Sequence, residues 1–226
     1  MTPYRVLNRV LHRVLAACLI GLAALPSAQA QPTSNPSIHA QLLVAARQGD
    51  LAAVERALTS GASPNARNPL GKTALLMAAE RGRDDLARRL ISAGADVNLA
   101  SVEEVTPLMA ACYGGHVGLV RLLLAAGAHT EPLDRMHRTA AVYAAGQGHA
   151  EVLAALLEHG VAIDTAYAHG LTALMWAAGE GHAEAVHLLL ARGARVDLRD
   201  DRGLTAAQMA RDAGHAPLAD ELTVAR

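Results

Sequence analysis

Four histidines stand 33 residues apart in this chain: His116, His149, His182 and His215. Imidazole is the side chain best suited to ligate a metal or carry a proton near neutral pH. A shared metal is excluded by distance. Two histidines on one zinc ion lie within about 4 Å of each other, because each Zn–N bond is about 2 Å. Equivalent side chains on neighbouring packed helices sit roughly 8–10 Å apart, so adjacent rungs of this ladder cannot hold one ion. His182 and His187 are five residues apart, off the i, i+4 spacing of a helical metal pair. His129, His137, His159 and His169 fall near loops and could cluster, but nothing in the sequence brings two acids or thiols to them. The chain has no HExxH, CxxC, phosphate loop or G-x-S-x-G elbow. The expectation is a protein with no metal, no cofactor and no catalytic residue.

The histidines are one ladder among several in the same register. Threonine recurs at Thr73, Thr106, Thr139, Thr172 and Thr205. Glycine recurs at Gly49, Gly82, Gly115, Gly148, Gly181 and Gly214, and again at Gly61, Gly94, Gly127, Gly160 and Gly193. A fixed period of this length signals a stacked array of small units, each unable to bury its apolar face alone. Each unit reads as two helices. The threonine is an N-cap, its hydroxyl accepting from a free backbone N–H. Pro107 takes the first helical position, where a missing N–H costs nothing, and Ala74, Ala140, Ala173 and Ala206 stand there in the other copies. Gly115 ends the first helix with a left-handed backbone. Val120, Leu123 and Leu124 form the buried stripe of the second helix, and Gly127 closes it. The copy that begins near Ile38 lacks the threonine, and Leu198–Leu222 carries Asp212, Asp220 and Glu221. These two ends read as capping units.

The clearest copy, Thr106-Pro107-Leu108-Met109-Ala110-Ala111-Cys112-Tyr113-Gly114-Gly115-His116, resembles the ankyrin repeat pattern T-P-L-H-x-A-A-x-x-G-H. The resemblance runs from about Ile38 to Leu222. It implies an all-α solenoid of about six stacked helix-turn-helix repeats with hairpin tips, at approximately 38–67, 68–100, 101–133, 134–166, 167–199 and 200–226. It also implies that the ladder histidines bond loop backbone. This chain departs from the pattern in two ways. Leu76, Met109, Val142, Met175 and Gln208 replace the family's first histidine, so the hydrogen bonds of that histidine are expected to give way to apolar packing. The tip glycine is kept at Gly71, Gly170 and Gly203 but is Glu104 and His137 in the central copies, so the central tips are expected to be reshaped.

The resemblance further implies a protein-binding scaffold whose variable contacts sit on the tips and on the concave face of the first helices. Mapped onto this sequence, the candidate partner-binding residues are Lys72, Met77, Arg81, Tyr113, Arg135, Arg138, Tyr143, Gln147, His169, Trp176, Glu180 and Arg202. Trp176, Tyr143, Tyr113 and Arg138 are the residue types that dominate interface energy, and they are expected to form an exposed patch. Alternatives of the same binding class are an immunity or inhibitor protein against a toxin, a secreted effector, or an accessory factor for an envelope enzyme such as a catalase. An enzyme is the alternative from another class.

Composition agrees with thin helices. Aromatic residues are only 2% of the 226, with no Phe, so Ala, Leu and Val must fill the core. The first 30 residues hold Arg5, Arg9 and Arg13 and no acid, which leaves 17 basic and 21 acidic residues, a net −4. That balance lacks the concentrated basic face of a nucleic-acid binder. Residues 1–30 read as a secretory signal peptide: a basic start, the apolar run Val14–Leu25 and the A-x-A site Ala28-Gln29-Ala30. Gln31–Ser37, with two prolines, reads as a disordered tether. The expected location is the periplasm or outside the cell, with no membrane attachment after cleavage. Cys112 would then be the sole thiol, read as a small apolar filler.

Overall fold

The computed structural model describes residues 37–225, so the signal-peptide segment and nearly all of the tether lie outside the described residues. Six helix pairs follow one another: α1 Ile38–Gln48 and α2 Leu51–Thr59, α3 Ala74–Ala79 and α4 Asp84–Ser92, α5 Pro107–Tyr113 and α6 Val117–Ala125. They continue as α7 Ala140–Gly146 and α8 Ala150–Glu158, α9 Ala173–Glu180 and α10 Ala183–Ala191, α11 Ala206–Asp212 and α12 Ala216–Val224. A short 3₁₀ turn covers Ala168–Gly170. Among the described residues no strand forms beyond one isolated bridge, Arg67 with Thr73. The architecture is the all-α solenoid read from the sequence.

Local chemistry starts each first helix. The hydroxyls of Thr73, Thr106, Thr139, Thr172 and Thr205 accept from the backbone N–H three residues on, at 3.1 to 3.4 Å. The position of the missing histidine is not purely apolar, as had been expected. Gln208 Oε1 accepts from the Thr205 N–H at 2.9 Å, and the sulfurs of Met109 and Met175 sit 3.4 Å from the N–H of Thr106 and Thr172. These three side chains close a reciprocal capping box, whereas Leu76 and Val142 only pack.

The core is continuous along the stack. Every residue of α3 is buried, as are Leu119, Val120, Leu123 and Leu124 of α6. The first helices are richer in alanine than the second, and their backbones approach one another more closely. The first-helix side is the face on which the resemblance to the ankyrin repeat places the partner contacts. Asparagines stitch the loops of adjacent repeats together. Asn98 Oδ1 accepts from the His129 N–H at 2.9 Å while its Nδ2 donates to the Gly127 carbonyl at 3.2 Å. Asn65 makes the same pair with Asp96 and Gly94.

Four of the tips share one turn; the fifth, at Ala168–Gly170, is a 3₁₀ turn in which both His169 and Gly170 take positive φ, at 60° and 72°. Asn68, Asp134 and Asp200 each accept two backbone N–H groups through Oδ1, two and four residues ahead. Glu104 and His137 then take φ of 62° and 58°, beside 72° at Gly71 and 80° at Gly203. The expected reshaping of the central tips does not occur. Tip-to-tip bonds hold the backbone in place: Val102 N–H to the Leu70 carbonyl at 2.9 Å, and Arg135 N–H to the Glu103 carbonyl at 3.3 Å. The two non-glycine residues absorb the strain instead.

Candidate partner-binding site

The histidine ladder is structural. His149 Nε2 lies 3.0 Å from the Tyr113 carbonyl oxygen, and His182 Nε2 lies 3.0 Å from that of Gly146. Each ring crosses from one repeat to the end of the first helix before it. The His149 ring rests on Gly115, where a Cβ would come within 2.7 Å of it. Arg83 fills the same slot two repeats before His149, donating to the Gly49 carbonyl at 2.8 Å.

The sequence-derived residues do not form one exposed surface. Six of them converge on a pocket where α5, α7 and α9 meet: Tyr113, Arg138, Tyr143, Gln147, Trp176 and Glu180, with Val142 and Gly146 completing the wall. Its volume is about 10 Å³, room for a single water-sized group. The other six are spread along the stack. Lys72 pairs with Glu80 at 2.6 Å, Arg135 with Glu103 at 3.8 Å, His169 with Asp201 at 3.9 Å and Arg202 with Asp200 at 2.7 Å. Arg81 is exposed, and Met77 is buried in the core.

Arg138, Tyr143 and Met77 depart from the expected exposure, at 9%, 6% and 6%. Met77 packs into the core on α3; for Arg138 and Tyr143 the cause is Asp134, which the register alone does not single out. Asp134 Oδ2 accepts from Arg138 Nε at 3.0 Å, from Arg138 Nη2 at 2.7 Å and from the Tyr143 hydroxyl at 2.6 Å. Arg138 Nη2 also donates to the Tyr143 oxygen at 2.8 Å. The guanidinium carbon sits 4.5 Å from the centre of the Tyr143 ring, in the range of a cation–π contact. The Tyr143 ring meets Tyr113 edge-on at 5.8 Å and 89°, a favoured aromatic geometry. A buried carboxylate thus draws the arginine inward and the tyrosine after it. Burial pushes the Tyr143 phenol above its ordinary range, opposed by the Arg138 charge and helped by the bond to Asp134. The phenol stays protonated and donates. One buried polar atom of this cluster, Arg138 Nη1, has no hydrogen-bond partner among the described residues.

Asp134 was legible in principle. Asn68, Asp134 and Asp200 share the 33-residue register, and an Asp or Asn that opens a turn binds the N–H two residues on. An arginine four residues past it, at Arg138, lies within reach of the free oxygen. Trp176 and Tyr113 remain half-buried on the pocket walls. Cys112 is fully buried and free, and burial pushes its thiol far above the usual range. It is an inert filler of the core.

The family profile described as Ankyrin repeats (3 copies) matches residues 42–134 and 129–200. No curated protein matches the chain.

Proposed function

The chain belongs to the ankyrin-repeat family, and on that premise we propose that it is a non-catalytic scaffold that binds a partner protein through its concave face, in the periplasm or after secretion. Ankyrin repeats support a role in protein–protein interaction. The observation that carries the concave-face reading is the pocket where α5, α7 and α9 meet. Two half-buried aromatic walls, Tyr113 and Trp176, flank a buried arginine there. Aromatic and arginine anchors in a partly desolvated hollow are the usual seat of binding energy. Elsewhere along the stack Arg81, Arg135 and Arg202 are exposed. Export is supported by the basic, apolar and A-x-A segments of residues 1–30, read as a cleaved leader.

The test is site-specific photo-crosslinking in the producing cells. A crosslinker at Gln147, beside the pocket, is compared with one at Glu184, exposed on the second-helix side. A discrete adduct from Gln147 and none from Glu184 supports the reading. Equal adducts from both positions reject a concave-face partner. Fractionation of the same cells reads the location, and a protein retained in the cytoplasm with its first 30 residues intact rejects export.

A further inference from the structure

We propose that the pocket between Tyr113 and Trp176 is a subsite for a primary carboxamide, the side-chain end of an Asn or Gln of the partner. The proposal deepens the concave-face reading and rests on it.

Arg138 is about nine-tenths buried, and two of its three nitrogens are committed to Asp134 and Tyr143. Nη1 is buried with no partner among the described residues. A guanidinium cannot shed its proton to escape that state, and an unmade bond to a buried donor is costly. Nη1 belongs to the residue that lines the pocket, so an acceptor arriving there from outside satisfies it. The pocket, of about 10 Å³, admits one oxygen-sized group, so the carbonyl oxygen enters it and the rest of the carboxamide lies at its mouth. Glu180 lines the same pocket. A carboxylate has about four acceptor positions, so it takes a further N–H whatever else it binds.

The pocket therefore offers one donor and one acceptor between aromatic walls. A carboxamide carries the complement: its carbonyl accepts from Nη1 and its NH₂ donates to Glu180. Its flat group stacks on the Trp176 ring. A carboxylate would set its second oxygen against Glu180, with the Asp134 charge behind. An ammonium would face the Arg138 guanidinium. Nη1 is out of solvent contact in the free protein, so the pocket wall must shift as the carbonyl enters.

The chain has a single tryptophan, so the indole N–H signal of Trp176 reports on this pocket alone. The full chain is titrated by NMR with propionamide, propionate, propylammonium and n-propanol at one ionic strength. Propionamide is expected to shift the indole signal, saturably, with a midpoint on the order of 100 mM, the weak range open to so small a ligand. Glu180→Ala, at a half-buried position, is expected to raise that midpoint at least about threefold. Equal or larger shifts from propionate, propylammonium or propanol overturn the proposal. So does a propionamide shift that Glu180→Ala leaves unchanged, or no shift at all. No partner is needed, so a failure here is distinct from a failure of the crosslinking result.

Discussion

His149 Nε2 stands 3.0 Å from the carbonyl oxygen of Tyr113, a residue of the preceding repeat. The bond ties the end of one first helix to the start of the next second helix, and it places the ring against Gly115. Two substitutions probe it separately. His149→Ala removes the bond and the ring packing and is expected to cost about 1–3 kcal/mol. Gly115→Ala keeps the histidine but puts a Cβ 2.7 Å from its ring at φ +69°, and is expected to cost at least as much. Urea denaturation followed by circular dichroism measures both. A His149→Ala protein as stable as the parent would mean that the ladder is decoration.

Core truncation tests the stacking itself. Leu123 on α6 is fully buried between neighbouring repeats. Leu123→Ala is expected to cost roughly 2–5 kcal/mol, by lost transfer energy plus the cavity left behind. A loss under about 1 kcal/mol is the range of surface changes and would contradict the placement.

The helices and their caps were legible in the sequence because they follow local rules. A threonine before an alanine-rich run and a glycine after it act on the backbone within four residues of themselves. The pocket was legible only in part. Tyr113, Trp176 and Glu180 lie where the register puts them, but Arg138 and Tyr143 are turned inward by Asp134, four and nine residues before them. No periodicity of a single residue type announces that inversion. The tips at Glu104 and His137 failed for the opposite reason. Their residue types argue for a new turn, yet neighbouring tips hydrogen-bonded to them impose the old one.

That tip strain is measurable. Gly203 has φ +80° and nothing within 4 Å of a would-be Cβ, so Gly203→Ala isolates the backbone term and is expected to destabilise by about 1 kcal/mol. Glu104 has φ +62°. Glu104→Gly relieves the same strain but adds freedom to the unfolded chain, for an expected gain of about 0.5 kcal/mol. Thermal melts of the two variants should move in opposite directions. A fall in both would show that the Glu104 side chain contributes more than its backbone costs.

Asp200 predicts a pH dependence. Burial works to raise its pKa, but the N–H groups of Leu204 and Arg202 and the Arg202 guanidinium outweigh burial and hold the carboxyl below its usual range. A carboxylate depressed in the folded state contributes stability above its unfolded pKa of about 3.9, and that contribution is lost as pH falls through the folded value. The parent protein should therefore lose more stability than Asp200→Asn on going from about pH 5 to pH 3. Parallel urea midpoints for the two proteins across that interval would remove Asp200 from the account.

Asp134 should be the most costly polar residue to truncate. Its side chain is 2% exposed and that of its partner Arg138 is 11% exposed. Asp134→Ala leaves the arginine buried with no counter-charge, an arrangement that costs about 3–5 kcal/mol. Tyr143→Phe removes one hydroxyl that both donates and accepts, yet keeps the ring edge-on to Tyr113 and under the guanidinium. About 1 kcal/mol is expected for that change. Replacing the pair together, Asp134→Leu with Arg138→Met, removes both charges at once and should recover much of the Asp134→Ala loss. The tip would still lack the Asp134 oxygen that holds the N–H groups of Met136 and Arg138, so recovery should stop short of the parent. Chemical denaturation of the four proteins decides it. An Asp134→Ala protein that loses under about 1 kcal/mol would show that Arg138 swings out to solvent once released. In that case the arginine would be a surface residue held inward by a single carboxylate, and its burial in the parent would carry little energy.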